Sequence, residues 1–517
     1  MKKMLVMLTV LVAMLAVSSC SKKTDSQSLV PEDAAIVLRM DLLQLGQKSG
    51  LSGGESSMVK KLKSQLRNMG VGKELRQKLE DIIDEPSQSG IDLTDPFFLY
   101  ASVDKRGEPK EVGFIGTIAS ESKLTDLLNA IGEEESDFPE VESEDGMKYI
   151  DLMGASLIYN DSWFFMGRLE GDISDQIATL KDRTDGKGSL SGNEAYERLC
   201  SKEGLAQMLI MMSGFSEMRD LNEAAQMLPD GMDFDGLAGL IDFAMDNGEA
   251  TLTSEYICLT DEWKEQMDKF DDMLGPLDGA LVKYVSGKGL SAFANINLAQ
   301  YLDNMKGFLE SQGIDDETME QIKELTSSIK GDIVFDLRGM VDGDVPVMCG
   351  YMSTNNGDII DLLEANNEES DDFVKVGDHV FAIPFMYDYE DVYNSDGDWV
   401  DWVRKPKGYL TLGYMNNVTF LTTGGIEPLE KPATSFNRAD IKGKGLYMHF
   451  NFDFFKDMAE QADYDDADAL REVAKVLDYA ELYVDGDKGV FRLVTHETDE
   501  TPLQTLLRYV EKFMDRM

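Results

Sequence analysis

The chain has 517 residues, 97 of them acidic and 49 basic, for a formal net charge of −48; such a surface repels phosphate backbones and argues against nucleic-acid partners. Hydrophobic residues make up 43% of it, the proportion of a chain with real cores, which excludes an acidic disordered one. The length suits about two to four domains of ordinary size.

The opening MKKMLVMLTVLVAMLAVSSC sets Lys2 and Lys3 before an apolar run from Met4 to Val17, followed by Ser18, Ser19 and Cys20. A charged start, a short apolar core and small residues before a cleavage point are the marks of a secretory signal. The run falls short of the roughly 20 residues a helix needs to cross a bilayer core. Val17-Ser18-Ser19-Cys20 resembles the bacterial lipobox, so residues 1–20 read as a lipoprotein signal peptide and Cys20 as the lipidated first residue of the mature chain. Several acyl chains anchor a protein stably, which makes the membrane an expected partner. Residues 21–29 are polar and without periodicity, and read as a tether.

From residue 30 the pattern is that of a folded chain. The strand-like AAIVLRMDLLQL runs into a helix, with Asp41 at the junction where an oxygen-bearing side chain can cap unpaired N–H groups. SSMVKKLKSQLRNM has apolar residues at spacings of three and four, an amphipathic helix. The strand EVGFIGTIAS, the helix around Leu127, the strand MKYIDL and the hairpin LIYNDSWFFMG follow, with Asn160-Asp161 at the turn. LIMMSGFSEM opens a second strand-to-helix passage, with Ser213 at the junction, and DNGEATLTSEYICLTDEWKEQMDKF reads as a hairpin plus helix.

The same series then recurs. LSAFANINLAQYL brings a strand into a helix at Asn297; ETMEQIKELTSSI is the amphipathic helix; VPVMCGYMST, HVFAIP and LGYMNNVTFLTTG supply the strands and the hairpin, with Asn416-Asn417 at its turn. GLYMHFNFDFFKDM places Asn451 where Ser213 stood. LLNAIGEEESDF, Leu127 to Phe138, and LLEANNEESDDF, Leu362 to Phe373, align without a gap at an offset of 235, set by Asp126 against Asp361. The expected fold class is therefore α+β: two homologous halves from an internal duplication, each a mainly antiparallel sheet flanked by helices. Gly275 and Pro276 interrupt both patterns, which puts the halves at 30–275 and 276–517.

The lipobox, PEDAAIVLRMDLLQL with its lysine and glycine soon after, and the doubled layout resemble the Bacteroidetes lipoprotein family catalogued as domain of unknown function 4836. The resemblance covers essentially the whole mature chain. It implies a cell-envelope location, most naturally the outer membrane, and supplies no activity. Ser21-Lys22-Lys23 stand where surface-exported lipoproteins of that phylum carry acidic residues, so the periplasmic and the surface face both stay open.

No motif carries a catalytic or cofactor reading. The acidic runs Glu133–Asp137 and Glu368–Asp372 read as solvated loops. Asn394, Asp396, Gly397 and Asp398 look like a calcium loop, but the register puts Val392 and Val403 where its first and last oxygen donors belong. Ser-x-x-Lys occurs at Ser57, Ser120 and Ser327 without its companion motifs. The three histidines, His379, His449 and His496, have no metal-ligand spacing. Beyond Cys20 there remain Cys200, Cys258 and Cys349, an odd number at unrelated spacings and no disulfide framework, although a Cys200–Cys258 bridge stays open. Neither a cofactor nor a metal is expected, and no catalytic residue is assigned.

One segment breaks the repeat. Residues 386–407, MYDYEDVYNSDGDWVDWVRKPK, have no counterpart in the first half. They hold Tyr387, Tyr389, Tyr393, Trp399 and Trp402 beside Asp401. Flat rings stack on sugar faces or apolar groups, carboxylates accept hydroxyl hydrogen bonds, and function concentrates in loops a scaffold does not need. The expected function is a lipid-anchored, non-enzymatic binding module of the envelope whose partner, a glycan or an envelope or host protein, meets these six residues. The rival readings are a glycosidase-like hydrolase with paired carboxylates about 5–9.5 Å apart, and a purely structural envelope lipoprotein.

Overall fold

The structure, a computed structural model, describes residues 25–50, 57–68, 71–134, 138–152, 154–216, 218, 233–304, 306, 309, 313–341, 345–366, 373–393, 395, 399–423, 426–431, 434–461 and 467–514. Cys20, most of the two acidic runs and the calcium-loop look-alike lie outside the described residues. The chain divides into two compact units, one reaching to Glu265 and resuming at Glu497, the other spanning Gln266–His496.

The first unit contains β1 (Ile36–Met40), β2 (Ile91–Asp92), β3 (Phe97–Val103), β4 (Pro109–Ile118), β5 (Glu142–Glu144), β6 (Met147–Asp151), β7 (Ser156–Tyr159), β8 (Trp163–Arg168), β9 (Ala206–Met211), β10 (Leu237–Asp246) and β11 (Glu249–Cys258). Hydrogen bonding orders them β11, β10, β9, β1, β3, β4, β8, β7, β6, β5, with β2 also on β4.

The second unit contains β12 (Leu290–Ala294), β13 (Ile329–Val341), β14 (Val345–Thr354), β15 (Val374–Gly377), β16 (Val380–Tyr393), β17 (Trp399–Met415), β18 (Val418–Thr422), β19 (Leu446–Asn451), β20 (Leu477–Asp485) and β21 (Lys488–Thr495). They run β21, β20, β19, β12, β13, β14, β18, β17, β16, β15. All these pairings are antiparallel, and with the helices between them the fold is α+β.

Alternation decides which side of each sheet is buried. In β1 and β9 every second residue is buried, so Val37 and Leu209 join Phe98, Ile115 and Phe165 in one core. The helix Glu121–Glu134 lays Leu127, Ala130 and Ile131 against the helices Ser57–Asn68 and Lys73–Asp84 in a second. Phe293, Val334, Tyr351, Phe420 and Tyr447 form the main core of the other unit.

Two of the expected caps are present: Asp41 accepts the Gln44 N–H at 2.8 Å and Asn297 that of Gln300 at 3.3 Å. Asn451 accepts the N–H of Asp453 at 2.9 Å, which lies before the helix Phe454–Gln461 and leaves the helix itself uncapped by Asn451. Ser213 instead sits inside a 3-10 turn, Met212–Phe215. Asn416 and Asn417 both adopt positive φ, 55° and 62°, the backbone of a two-residue hairpin turn.

Three expectations about boundaries need correction. The tether does not extend to residue 29, because Asp25–Leu29 forms a 3-10 turn with Leu29 fully buried and the Arg183 guanidinium donating to its carbonyl. The first unit ends at Glu265 rather than 275. The carboxyl terminus belongs to the first unit: Gly248 donates its N–H to the Glu500 carbonyl at 2.7 Å and the Thr501 hydroxyl donates to the Lys48 carbonyl at 2.5 Å. Cys200, Cys258 and Cys349 form no disulfide, which closes the bridge left open above.

Candidate functional site

The described strands of segment 386–407 form a ribbon. In the first unit β6 and β7 are five and four residues long; β16 and β17 have 14 and 17. Their inner ends are held in the sheet, β16 by β15 through Val380–Ala382 and β17 by β18 through Thr411–Met415. Outside those stretches the two strands pair only with each other among the described residues. Register shifts between Pro384 and Tyr387 mark bulges at the base of the ribbon, where such irregularities bend a strand.

The register sorts the side chains. Tyr387 lies opposite Pro406, Tyr389 opposite Arg404 and Asp391 opposite Trp402, so these six share one face. Arg404 stacks over the Tyr387 ring at 4.0 Å, a cation–π contact. Trp402 meets Tyr389 edge to face, ring centroids 4.8 Å apart. Asp391 ties the outer end: its carboxylate accepts the Trp399 Nε1–H at 2.9 Å and the Tyr393 hydroxyl at 3.5 Å.

All five expected aromatic residues therefore gather on one face, and they are not buried: Tyr389 is 62% exposed, Trp399 54% and Trp402 51%. Asp401 does not join them. It lies opposite Val392 on the other face, with Asp388, Glu390, Val403 and Lys405, and its carboxylate accepts the Trp402 backbone N–H at 2.8 Å. That face carries most of the charge, with Arg404 and Asp391 on the aromatic one; Lys405 pairs with Glu390 at 2.5 Å.

Sequence reasoning missed three buried polar clusters. Arg183 and Glu111 form a two-pronged ion pair, 2.6 and 2.9 Å, beneath the Tyr100 hydroxyl, which donates to Glu111. Burial pushes the Tyr100 phenol well above its ordinary value. Asp332 and Asp336 on β13 clamp the segment before β12: Asp332 accepts the Asp278 and Gly279 N–H groups at 2.9 and 2.6 Å, and Asp336 takes Ser286, Ser291 and Arg338. Burial raises the Asp332 carboxyl. Glu481 accepts the Tyr447 hydroxyl at 2.5 Å beside His449 and Arg492. Burial pushes the Glu481 carboxyl up, but the His449 ring 3.9 Å away, the Tyr447 hydrogen bond and the charges of Arg492 and Lys444 outweigh it, bringing it down to about 2.

The other motifs resolve locally. The Ser120 hydroxyl sits beside that of Ser122, and the Lys123 amine donates to the Ser87 carbonyl, not to the serine. His379 faces Asp361 at 2.7 Å and His496 faces Asp478 at 3.9 Å. Among the described residues no three His, Cys, Asp or Glu side chains gather as metal ligands, and no helix is long and apolar enough to cross a membrane.

Residues 27–387 match the model of the DUF4836 family, a domain of unknown function. The chain belongs to that family. The match ends at Tyr387, at the base of the ribbon of this DUF4836 protein. No curated protein matches it. Among solved structures, crystal form IV of TP0453 is 13% identical and aligns over 45% of this chain and 81% of its own at a TM-score of 0.26. Crystal form III is 12% identical over 49% and 88%, also at 0.26. At that TM-score the likeness carries no argument.

Proposed function

We propose that this DUF4836 protein is a lipid-anchored cell-envelope protein, of the Bacteroidetes type, that binds a partner through the aromatic face of the β16–β17 ribbon and performs no chemistry. The observation that carries the reading is the five rings on one exposed face of a ribbon that the sheet does not need. Monomeric proteins seldom leave a large contiguous apolar patch in water unless it meets something, and aromatic anchors dominate contact energetics. The buried carboxylates Glu111, Asp332 and Asp336 and the half-buried Glu481 each hold fixed partners, which favours binding over a carboxylate hydrolase.

The lipobox and Cys20 support the anchor, and an outer-membrane site fits the family resemblance. The two units are taken as products of one duplication: exchanging each strand for its counterpart, β1 for β12, β3 for β13 and so on to β11 for β21, turns one strand order into the other.

Trp399→Ala with Trp402→Ala is expected to abolish capture of the envelope or host component that the anchored protein retains; unchanged capture would refute the contact surface. Metabolic labelling with palmitate, lost in Cys20→Ala, tests the anchor. Digestion by a non-permeant protease on intact cells, against protection until lysis, decides the membrane face and with it the available partners.

A further inference from the structure

The two edges of the ribbon differ. In the half of the ribbon nearer the sheet β17 carries Arg404, Lys405, Pro406 and Lys407, opposite the stretch Met386–Tyr389, with Trp399–Val403 beyond them, and lysine and proline are what sheet proteins place on an edge to stop another strand from pairing. β16 beyond Pro384 carries neither, and runs Met386 to Tyr393 as MYDYEDVY. Its neighbour β15 is four residues long and covers β16 only through Val380–Ala382. Among the described residues the ladder that β15 begins is thus left open along the outer half of β16, where the residues from Asp388 to Tyr393 are exposed.

The geometry points to this edge as a strand-addition site for an extended segment of a partner protein in which apolar and basic residues alternate. The inference rests on the ribbon being the contact surface. A strand laid beside β16 places successive side chains on opposite faces. On one face they meet Tyr387, Tyr389 and Tyr393, with the Asp391 carboxylate already held by Trp399 and Tyr393; on the other they meet Asp388, Glu390 and Val392. Rings favour apolar residues and carboxylates favour lysine or arginine, so the two faces together define the alternation. The charge of the partner follows also from the chain as a whole, which at −48 draws cationic segments and repels acidic ones. A lipid surface fits less well, because residues 386–407 hold six carboxylates and three basic side chains, and an anionic leaflet repels such a tip.

The test is calorimetric titration of the full chain with three synthetic peptides: one of alternating lysine and valine, one of the same composition in two blocks, and the alternating one methylated on every backbone nitrogen, so that neither of its edges can pair. The alternating peptide is expected to bind about tenfold or more tighter than the other two, because only it can pair and match both faces. Asp388→Lys, which puts a guard on the edge, is expected to weaken it about tenfold at unchanged melting temperature. Equal binding of the block peptide means attraction by net charge alone and overturns the proposal, as does an unaffected Asp388→Lys. If no peptide binds while the double tryptophan variant still abolishes capture of the partner, strand addition is wrong and the contact surface stands; if that variant also captures normally, both fall.

Discussion

Trp402 packs edge to face on Tyr389 with ring planes at 78°, although in register Tyr389 faces Arg404 and Trp402 faces Asp391. The contact is diagonal, as is that of Arg404 on Tyr387, and the two diagonals lock the ribbon without drawing on either core. Such a pair contributes about 0.5–1.5 kcal/mol beyond its buried area. Replacing Trp399 and Trp402 by alanine should therefore leave thermal unfolding of the cores within about 1 kcal/mol of the parent. A larger loss in calorimetry would mean the ribbon is part of the folding unit. Trp163 and Trp263 are buried while Trp399 and Trp402 are exposed, so acrylamide should quench two of the four tryptophans in the parent and little in the variant.

The Arg183–Glu111 pair is expected to be a structural keystone of the first unit. Arg183→Met leaves the Glu111 carboxylate buried without its partner, a change that costs about 3–5 kcal/mol. Converting both, Arg183→Met with Glu111→Leu, should recover much of that loss, since a buried pair replaced by apolar residues of similar volume is often neutral. Urea unfolding followed by circular dichroism separates the two outcomes; a single variant as stable as the parent would show that the carboxylate finds water.

Glu481 gives the second unit an acid limit. Its carboxyl lies at about 2 in the folded chain against 4.5 for an unperturbed glutamate. A group lowered in the folded state contributes stability fully above its unfolded pKa and loses it as pH falls through the folded one. The contribution should therefore fade between about pH 4.5 and pH 2, and amounts to roughly 1–2 kcal/mol after discounting for solvent screening. Glu481→Gln should flatten the pH dependence of the melting temperature in that window; an unchanged slope would assign the acid limit to other carboxylates.

These clusters also mark where sequence reading stops. Caps at Asp41 and Asn297, and the ribbon aromatics, were legible because each signal is local: a cap lies three residues from its target, and residues of one hairpin share a face by counting in twos. Glu111 and Arg183 are 72 positions apart, and nothing near either announces the other. A signal did exist, since Glu111 alternates with Gly113 and Ile115 on the inward face of β4, and Asp332 and Asp336 flank Val334 in the same way on β13. A charge in phase with buried residues asks for a partner without naming it. Asp401 was misplaced for the opposite reason: proximity in sequence says nothing of face until the register is known, and register pairs it with Val392. The carboxyl-terminal segment was assigned to the wrong unit because pattern continuity does not reveal which sheet a terminal segment joins.

The turn at Asn416-Asn417 supplies a backbone test that is independent of side-chain packing in the cores. Both residues hold positive φ, and Asn417 is further fixed by the Tyr414 hydroxyl, which donates to its side-chain oxygen at 3.1 Å, and by the Thr354 N–H, which donates to its carbonyl at 3.1 Å. Glycine adopts that conformation freely, so Asn417→Gly loses the tyrosine contact but gains an unstrained backbone, and the net change should stay within about 0.5 kcal/mol. A β-branched residue meets its own carbonyl there, so Asn417→Val should cost about 1–2 kcal/mol and slow closure of the β17–β18 hairpin. Equal stability of the glycine and valine variants would mean that the turn relaxes to another type, and with it that the register carrying Thr411–Met415 against Val418–Thr422 is set by the strands rather than by the two asparagines.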